Sequence, residues 1–273
     1  MLKIRIITAL LLLPLALAAI FLLPPAWFCI FAGALLLVGS WEFSRLAGLK
    51  LVPGGLFLVL AQAVIMGSMW ASWDEWTASP VPPAFMACFA WTFMFLQMGT
   101  YVPGRVITPA YKAMGSVNAV LAITAAWGAL SWLRLEPGGQ WWIVLLLLII
   151  WASDVGAYFS GRAIGGSKLA PRISPGKTRA GFYGGVICAA GVAVAAGLAM
   201  PAVDASVLQL AILGSTTAVV SVGGDLFISM HKRVVGLKDS GRLFPGHGGV
   251  LDRLDSLLSG SAFFVLAKLL MGI

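Results

Sequence analysis

Residues 229–255 concentrate charged side chains within an otherwise apolar chain. Acids and bases alternate there with serine and glycine, in the order Ser229, His231, Lys232, Arg233, Lys238, Asp239, Arg242, His247, Gly248, Gly249, Asp252, Arg253 and Asp255. Charge of this density beside membrane-spanning segments is costly unless it meets charged ligands. Anionic phosphates, and the divalent cations that accompany them, are the ligands that these residue types would bind.

Three carboxylates are candidates for a metal site. Asp225 follows two glycines near the end of an apolar run, and Asp252 and Asp255 are three residues apart, so both would lie on one face of a helix. A tight turn at Gly248 and Gly249 that folds back would bring Asp252 towards Asp225. Convergent carboxylates suit Mg²⁺, which prefers oxygen ligands and keeps positions for substrate phosphates. The alternative is that these acids form salt bridges with nearby lysine and arginine side chains.

Two basic segments are candidates for phosphate binding. The first contains Lys232, Arg233, Lys238 and Arg242, and the second contains Lys168, Ser174, Lys177 and Thr178. Arginine offers a bidentate fork to phosphate, lysine offers a point charge, and glycine-rich turns offer backbone N–H groups. The alternative is that these cations only determine membrane topology. Gly176, Lys177 and Thr178 resemble the end of a P-loop, but the upstream glycine is missing, so we reject that interpretation.

Asp154 is a further polar group, at the end of the sixth apolar run and one turn before Tyr158. It would join the same site, and the alternative is that it is only solvated. The two histidines, His231 and His247, lack the spacing of metal ligands, which argues against zinc.

The composition predicts an all-α, polytopic integral membrane protein. The 273 residues are 60% hydrophobic and 10% charged, with a mean hydropathy of +0.97, whereas soluble domains are about 25% charged. Many apolar runs approach the roughly 18–20 residues that a helix needs to cross a bilayer. We predict about nine transmembrane helices, near residues 6–23, 26–44, 51–71, 84–102, 113–133, 141–160, 181–200, 206–228 and 256–273.

The loop charges predict the orientation. When alternate loops are assigned to opposite sides, every lysine and arginine except Arg134 and Lys268 falls on the side of the N-terminus. The positive-inside rule then predicts a cytoplasmic N-terminus and a C-terminus outside. The net charge of +8 is therefore assigned to topology and anionic lipid headgroups, and no nucleic-acid partner is expected.

The polar residues divide the chain into two regions. Residues 1–135 carry few polar groups and are predicted to form a scaffold or lipid-facing wall. Residues 136–273 are predicted to form the catalytic region, with cytoplasmic loops at 161–180 and 229–255. The small residues from Ala189 to Ala196 suggest a close-packing face, either for a homodimer or within the monomer.

The charged segments resemble the signature of the phosphatidate cytidylyltransferase (CDP-diacylglycerol synthase) family. The residues that match it are Ser229, Lys232, Arg233, Lys238, Asp239, Pro245, His247, Gly248, Gly249, Asp252, Arg253 and Asp255. Further similarity lies at Asp154, at Asp225, in residues 168–178 and at Trp41 and Glu42. The resemblance covers the whole chain and is strongest over residues 151–260.

The resemblance implies a nucleotidyltransferase that makes CDP-diacylglycerol and pyrophosphate from CTP and phosphatidate. It implies Mg²⁺, with K⁺ as a second cation, and a location in the inner membrane of a bacterium with the site facing the cytoplasm. We expect Asp225 and Asp252, supported by Asp255, to bind the metal. Catalytic roles are expected for Asp225, Asp252, Lys232, Arg233, Lys238 and Asp239. Substrate binding is expected from Asp154, Ser174, Lys177, Thr178, Ser229, His247, Gly248, Gly249 and Arg253.

Three alternatives remain open at this stage. A CTP-dependent polyprenol or phytol kinase would use a similar nucleotide site on a lipid alcohol. A transporter would show charges near the bilayer midplane rather than at one face. A catalytically silent paralogue is suggested by departures from the family pattern at Ile228, His231, Arg179 and Ala180.

Overall fold

The computed structural model describes residues 2–244, 246 and 248–273, with side chains from residue 10 onward. Its elements are α1 (Leu2–Leu22), α2 (Pro25–Leu46), a π-helical turn (Leu51–Gly55), α3 (Leu56–Ala71), α4 (Trp73–Ala78), α5 (Val81–Gly99), α6 (Pro109–Leu135), α7 (Gly139–Ile164), β1 (Lys168–Ala170), β2 (Ser174–Thr178), α8 (Arg179–Ala199), α9 (Val207–Val234) and α10 (Leu251–Met271). The all-α, multi-span prediction is confirmed.

Eight helices in the described part of the chain are long and apolar enough to cross a membrane. The first of the nine predicted spans corresponds to α1, of which Leu10–Leu22 is the apolar part with described side chains. The count of nine and the orientation of the termini therefore stay predictions.

The two predicted charged loops are shorter than expected, because helix continues into both. The segment 161–180 contains the end of α7, an antiparallel hairpin of β1 and β2, and the start of α8. The segment 229–255 contains the last turns of α9 and the first turns of α10. Glycines with positive φ, at Gly165 and Gly236, mark where α7 and α9 give way to loops.

In the described part of the chain the core consists of two apolar clusters, and α10 contributes to both. One lies between α2, α3, α5, α6, α9 and α10 and includes the fully buried Phe43, Trp91 and Phe227. The other lies among α1, α2 and α6 to α10 and includes Leu146 and Phe264. The packing of α7, α9 and α10 brings the end of α9 next to the beginning of α10. We call the end of the helix bundle where these two meet the charged end.

Glycines allow α7 and α8 to pack in direct backbone contact. A Cβ on Gly181 would lie 2.8 Å from the Ala157 carbonyl oxygen, and a Cβ on Gly184 would overlap the Ser160 side chain. Small residues at such crossings let membrane helices approach closely. This contact brings the hairpin that precedes α8 beside the end of α7.

The small-residue run of α8 packs inside the monomer. Ala189 and Ala193 are fully buried, and a Cβ on Gly214 of α9 would lie 2.6 Å from Ala193 Cβ. Gly191 and Ala195, on another side of α8, are exposed. The homodimer therefore stays a prediction, and the most closely packed part of the run does not support it.

We expect Gly184→Val to destabilise the protein, because the added side chain overlaps Ser160 and separates α7 from α8. Overpacking of this kind costs roughly 1–3 kcal/mol, so the Tm in detergent should fall by several degrees. Gly191→Val is the matched control on the same helix, because a Cβ there meets nothing within 4 Å. Equal melting temperatures for the two variants would contradict the proposed close packing.

Candidate functional site

The charged end brings together side chains from three separate segments. The hairpin contributes Lys177, the last turns of α9 contribute Asp225 and Lys232, and the first turn of α10 contributes Asp252. Lys177 Nζ lies 2.6 Å from Asp225 Oδ2, and Lys232 Nζ lies 2.9 Å from Asp252 Oδ1. The structure thus assembles the site from the parts that the sequence identified.

Asp225 is held in place by its own helix as well as by the hairpin. The Ser229 hydroxyl, one turn later on α9, donates a hydrogen bond to Asp225 Oδ1 at 3.1 Å. The side chains of Lys177 and Asp225 retain 28% and 25% of their exposure. This pair is therefore accessible to a polar ligand.

Asp252 is much less accessible, with 6% of its side chain exposed. Its Oδ1 accepts from Lys232, and its Oδ2 accepts from the backbone N–H groups of Ser240 (2.8 Å) and Gly249 (2.9 Å). The Ser240 hydroxyl also lies 3.0 Å from Oδ2. Asp252 therefore organises the loop between α9 and α10 and holds Lys232 at the same time.

Two further acids lie within electrostatic reach of this cluster. The charges of Lys177, Asp225 and Arg253 act on Asp154 near the end of α7. Asp255, half-buried on α10, is acted on by the charge of Asp225. The charge of Lys232 reaches both Asp225 and Asp255. The acids and bases therefore form one interacting group, in which Lys177 and Lys232 compensate carboxylates that repel one another.

A cavity of about 400 Å³ adjoins Lys177, within the usual range of roughly 300–1,000 Å³ for ligand pockets. Its walls combine charged, hydroxyl and apolar groups, which are Asp154, Ala157, Tyr158, Gly161, Arg162, Leu169, Gly176, Lys177, Thr178, Gly181, Phe182 and Val222. A second cavity of about 220 Å³ lies among α3 to α6 and α10 and has only apolar, threonine and tryptophan walls. The charged cavity is thus the better candidate for a phosphate-bearing ligand.

The other predicted residues lie around this centre. Arg233 Nε donates to the Ile173 carbonyl oxygen at 3.1 Å, which fastens α9 to the hairpin. The Thr178 hydroxyl accepts from Gly181 N and caps α8. Lys238 and Asp239 are exposed, and Ser174 begins β2.

The glycines of the loop pack against acids. A Cβ on Gly248 would lie 2.5 Å from Asp252 Oδ2, and a Cβ on Gly249 would overlap the Glu42 carboxylate. Arg253, on α10, is exposed. His247 lies outside the described residues.

The donor set suits a hard divalent cation, although a complete metal site is not preassembled. Among residues 2–244, 246 and 248–273, no group of three or more His, Cys, Asp or Glu side chains could hold a metal ion. The carboxylate of Asp252 is engaged by Lys232 and Ser240, and that of Asp225 by Lys177 and Ser229. Asp225, Asp252 and Asp255 present only oxygen donors, which fits Mg²⁺.

Sequence reasoning assigned no role to Glu42 and did not consider Ser240. Glu42, on α2, is buried, and its carboxylate accepts from Val250 N (3.0 Å) and Leu251 N (2.8 Å) at the beginning of α10. The Ser240 hydroxyl lies 2.8 Å from Glu42 Oε2. The signal was available, because an acid inside an apolar span needs a partner or a function.

His231 is part of the packing beside the site. Its Nδ1 lies 2.7 Å from the Tyr111 hydroxyl, which also lies 2.9 Å from the Leu46 carbonyl oxygen. The imidazole is 2% exposed and packs against Phe43 and Phe227. This departure from the family pattern therefore joins α2, α6 and α9 and does not enter the charged group.

Three relatives resemble this chain along most of its length, and each bears the name phosphatidate cytidylyltransferase. The protein of Pseudomonas aeruginosa is 40% identical over 271 residues, which cover 97% of this chain and 96% of the relative. That of Haemophilus influenzae is 32% identical over 308 residues, covering 97% of each. That of Brucella suis is 38% identical over 233 residues, covering 78% of this chain and 84% of the relative.

The family comparison agrees with these relatives and with the arrangement of the charged end. The model of the cytidylyltransferase family matches residues 3–270, and so includes every charged segment described above. The chain therefore belongs to the cytidylyltransferase family.

Proposed function

We propose that this protein transfers the cytidylyl group of CTP to phosphatidate, forming CDP-diacylglycerol and releasing pyrophosphate. The observation that carries the proposal is the ammonium group of Lys177, which is held on Asp225 at the border of the 400 Å³ cavity, with the charge of Lys232 acting on the same carboxylate. The relatives that bear the name of this activity support the same conclusion.

The residues suit a reaction between two polyanions. A phosphate oxygen of phosphatidate forms a bond to the α-phosphorus of CTP, the bond from that phosphorus to the bridging oxygen breaks, and pyrophosphate leaves. Because the attacking phosphate is already anionic near neutral pH, no strong general base is needed. The main requirement is positive charge on both substrates and on the leaving group. Lys177 and Lys232 would supply it, with Arg233, Lys238 and Arg253 around them.

Asp225 and Asp255 are the residues that would hold Mg²⁺, with K⁺ as a second cation. Mg²⁺ held there would neutralise phosphate charge and orient the phosphates. Asp252 was expected to share this role, and this stays a proposal. Its carboxylate also accepts from Lys232 and from the loop between α9 and α10.

The membrane location follows from the substrates. The acyl chains of phosphatidate can stay in the bilayer while its headgroup meets CTP at the charged end. We place this end at the cytoplasmic face of a bacterial inner membrane, because lysines and arginines concentrate on that side of the predicted nine-span topology.

The assay that tests the function uses purified protein in detergent with labelled CTP and Mg²⁺. Phosphatidate, polyprenol or no acceptor is added in separate reactions, and CDP-lipid, phosphorylated lipid and pyrophosphate are measured. CDP-diacylglycerol and pyrophosphate in equal amounts, formed only with phosphatidate, are expected. Phosphorylated polyprenol would favour the lipid kinase, and no product with any acceptor would favour the silent paralogue. Omitting Mg²⁺, and replacing K⁺ by Na⁺, test the two cations.

We expect Lys177→Met to lower kcat by about 10²-fold or more, because it removes a positive charge from the reacting phosphates and leaves Asp225 without its partner. Steady-state kinetics with CTP and phosphatidate measure the effect. Lys112→Met is the matched control, since Lys112 is exposed on α6. Equal kcat values for the two variants would remove Lys177 from the site.

Asp252→Asn should also lower kcat by about 10²-fold. The amide is nearly the same shape, but it loses the charge that holds Lys232 and it turns an NH₂ group towards existing donors. Folding is checked by size-exclusion chromatography and thermal melting. A folded variant with near-normal turnover would show that the carboxylate charge is not needed.

A further inference from the structure

Glu42 is a buried acid that the reaction does not use directly. Its carboxylate is surrounded by donors from the loop between α9 and α10 and from the beginning of α10, which are the Ser240 hydroxyl, Val250 N and Leu251 N, at 2.8–3.0 Å. Burial of a carboxylate is tolerated when its oxygens accept several hydrogen bonds. Its negative charge also complements the N-terminus of α10.

Packing places the loop directly on this carboxylate. A Cβ on either Gly241 or Gly249 would overlap Glu42, so both backbone segments run against its oxygens. Arg45, one turn later on α2, lies with Nη1 3.4 Å from the Ser240 carbonyl oxygen. One face of α2 therefore contacts the loop through two charged side chains.

Ser240 connects Glu42 to the candidate active site. Its hydroxyl lies 2.8 Å from Glu42 Oε2 and 3.0 Å from Asp252 Oδ2. A hydroxyl has one hydrogen, so Ser240 donates to one of these two carboxylates at a time while its oxygen stays within hydrogen-bond distance of both. Asp252 in turn binds Lys232 at 2.9 Å. A continuous path of polar contacts thus runs from α2 to an ammonium group of the site.

We propose that Glu42 is a positioning residue, which acts through Ser240 and the N-terminus of α10 to hold Asp252 and Lys232 in place. The expected effect of Glu42 on kcat rests on the proposed function. The structural part, that Glu42 holds residues 240–241 and 249–251 against α2, does not depend on which reaction the protein catalyses.

The kinetic test compares Glu42→Gln with the wild-type protein. The amide cannot accept from all three donors, so the loop shifts, and a displacement of about 1 Å can cost about 10²-fold in rate. We expect kcat to fall by about 10²-fold while KM for CTP changes by less than about threefold. Glu75→Gln is the matched control, because Glu75 is an exposed acid on α4.

Ser240→Ala is a smaller change that tests the path of contacts from Glu42 to Lys232. It replaces Glu42→Gln as the test variant if Glu42→Gln folds poorly. If Glu42 acts through Ser240, the double variant should have a kcat near that of the slower single variant. Independent effects would instead multiply, which would overturn the proposed path.

Limited trypsin digestion tests whether Glu42 holds the segment around Ser240, without any activity assay. Lys238 and Arg242 are exposed and flank Ser240. Cleavage after them, located by mass spectrometry, should be about tenfold faster in Glu42→Gln, because proteolysis follows the population of the open loop, and it should be unchanged in Glu75→Gln.

The outcomes separate the two proposals. A wild-type protein that makes no CDP-diacylglycerol contradicts the proposed function, while the trypsin result still decides whether Glu42 holds the loop. A variant with wild-type kcat and wild-type cleavage overturns the positioning role. A variant with a lower Tm also overturns the positioning role if trypsin cleaves all its sites faster to the same extent and its kcat per folded molecule is unchanged. That result would show that Glu42 only stabilises the fold.

Discussion

Charge compensation at the end of a membrane bundle is the constraint on which the site depends. Lys177 and Lys232 neutralise Asp225 and Asp252 at 2.6 and 2.9 Å. Removing one partner of a buried pair costs about 3–5 kcal/mol, because the other charge is left uncompensated. The pairs differ in accessibility, since the Lys177 pair borders the cavity and the Lys232 pair is almost enclosed. The first is suited to exchange with phosphate ligands, and in the second Asp252 holds both Lys232 and the loop.

Close packing of helices at glycine positions sets the distances between the charged side chains of the site. Glycines between α7 and α8 bring the hairpin over the end of α7, so Lys177 reaches Asp225 on α9. Rigid, close-packed helices can hold a site more precisely than loops can. The hairpin is fixed at a second point by the contact between Arg233 and the Ile173 carbonyl oxygen.

The first helices of the chain contribute directly to this arrangement. Residues 1–135 were predicted to be a scaffold or lipid-facing wall, and α2 lies within them. Its Glu42 nevertheless accepts hydrogen bonds from the loop and from α10, about 200 residues further along the chain. Helix α2 therefore reaches the charged end through a buried carboxylate.

The amino-acid sequence by itself determined the membrane class, the approximate helices and the residue types of the site. Apolar length and charge clustering are local properties, so they can be read along the chain. Only the tertiary structure decided which acid meets which base or hydroxyl group, because those contacts join residues 20 to about 200 positions apart. It also paired Asp225 with Lys177 and Asp252 with Lys232, and it gave Glu42 its partners. Residue spacing cannot reveal such choices, since they depend on how closely α7, α8, α9 and α10 pack.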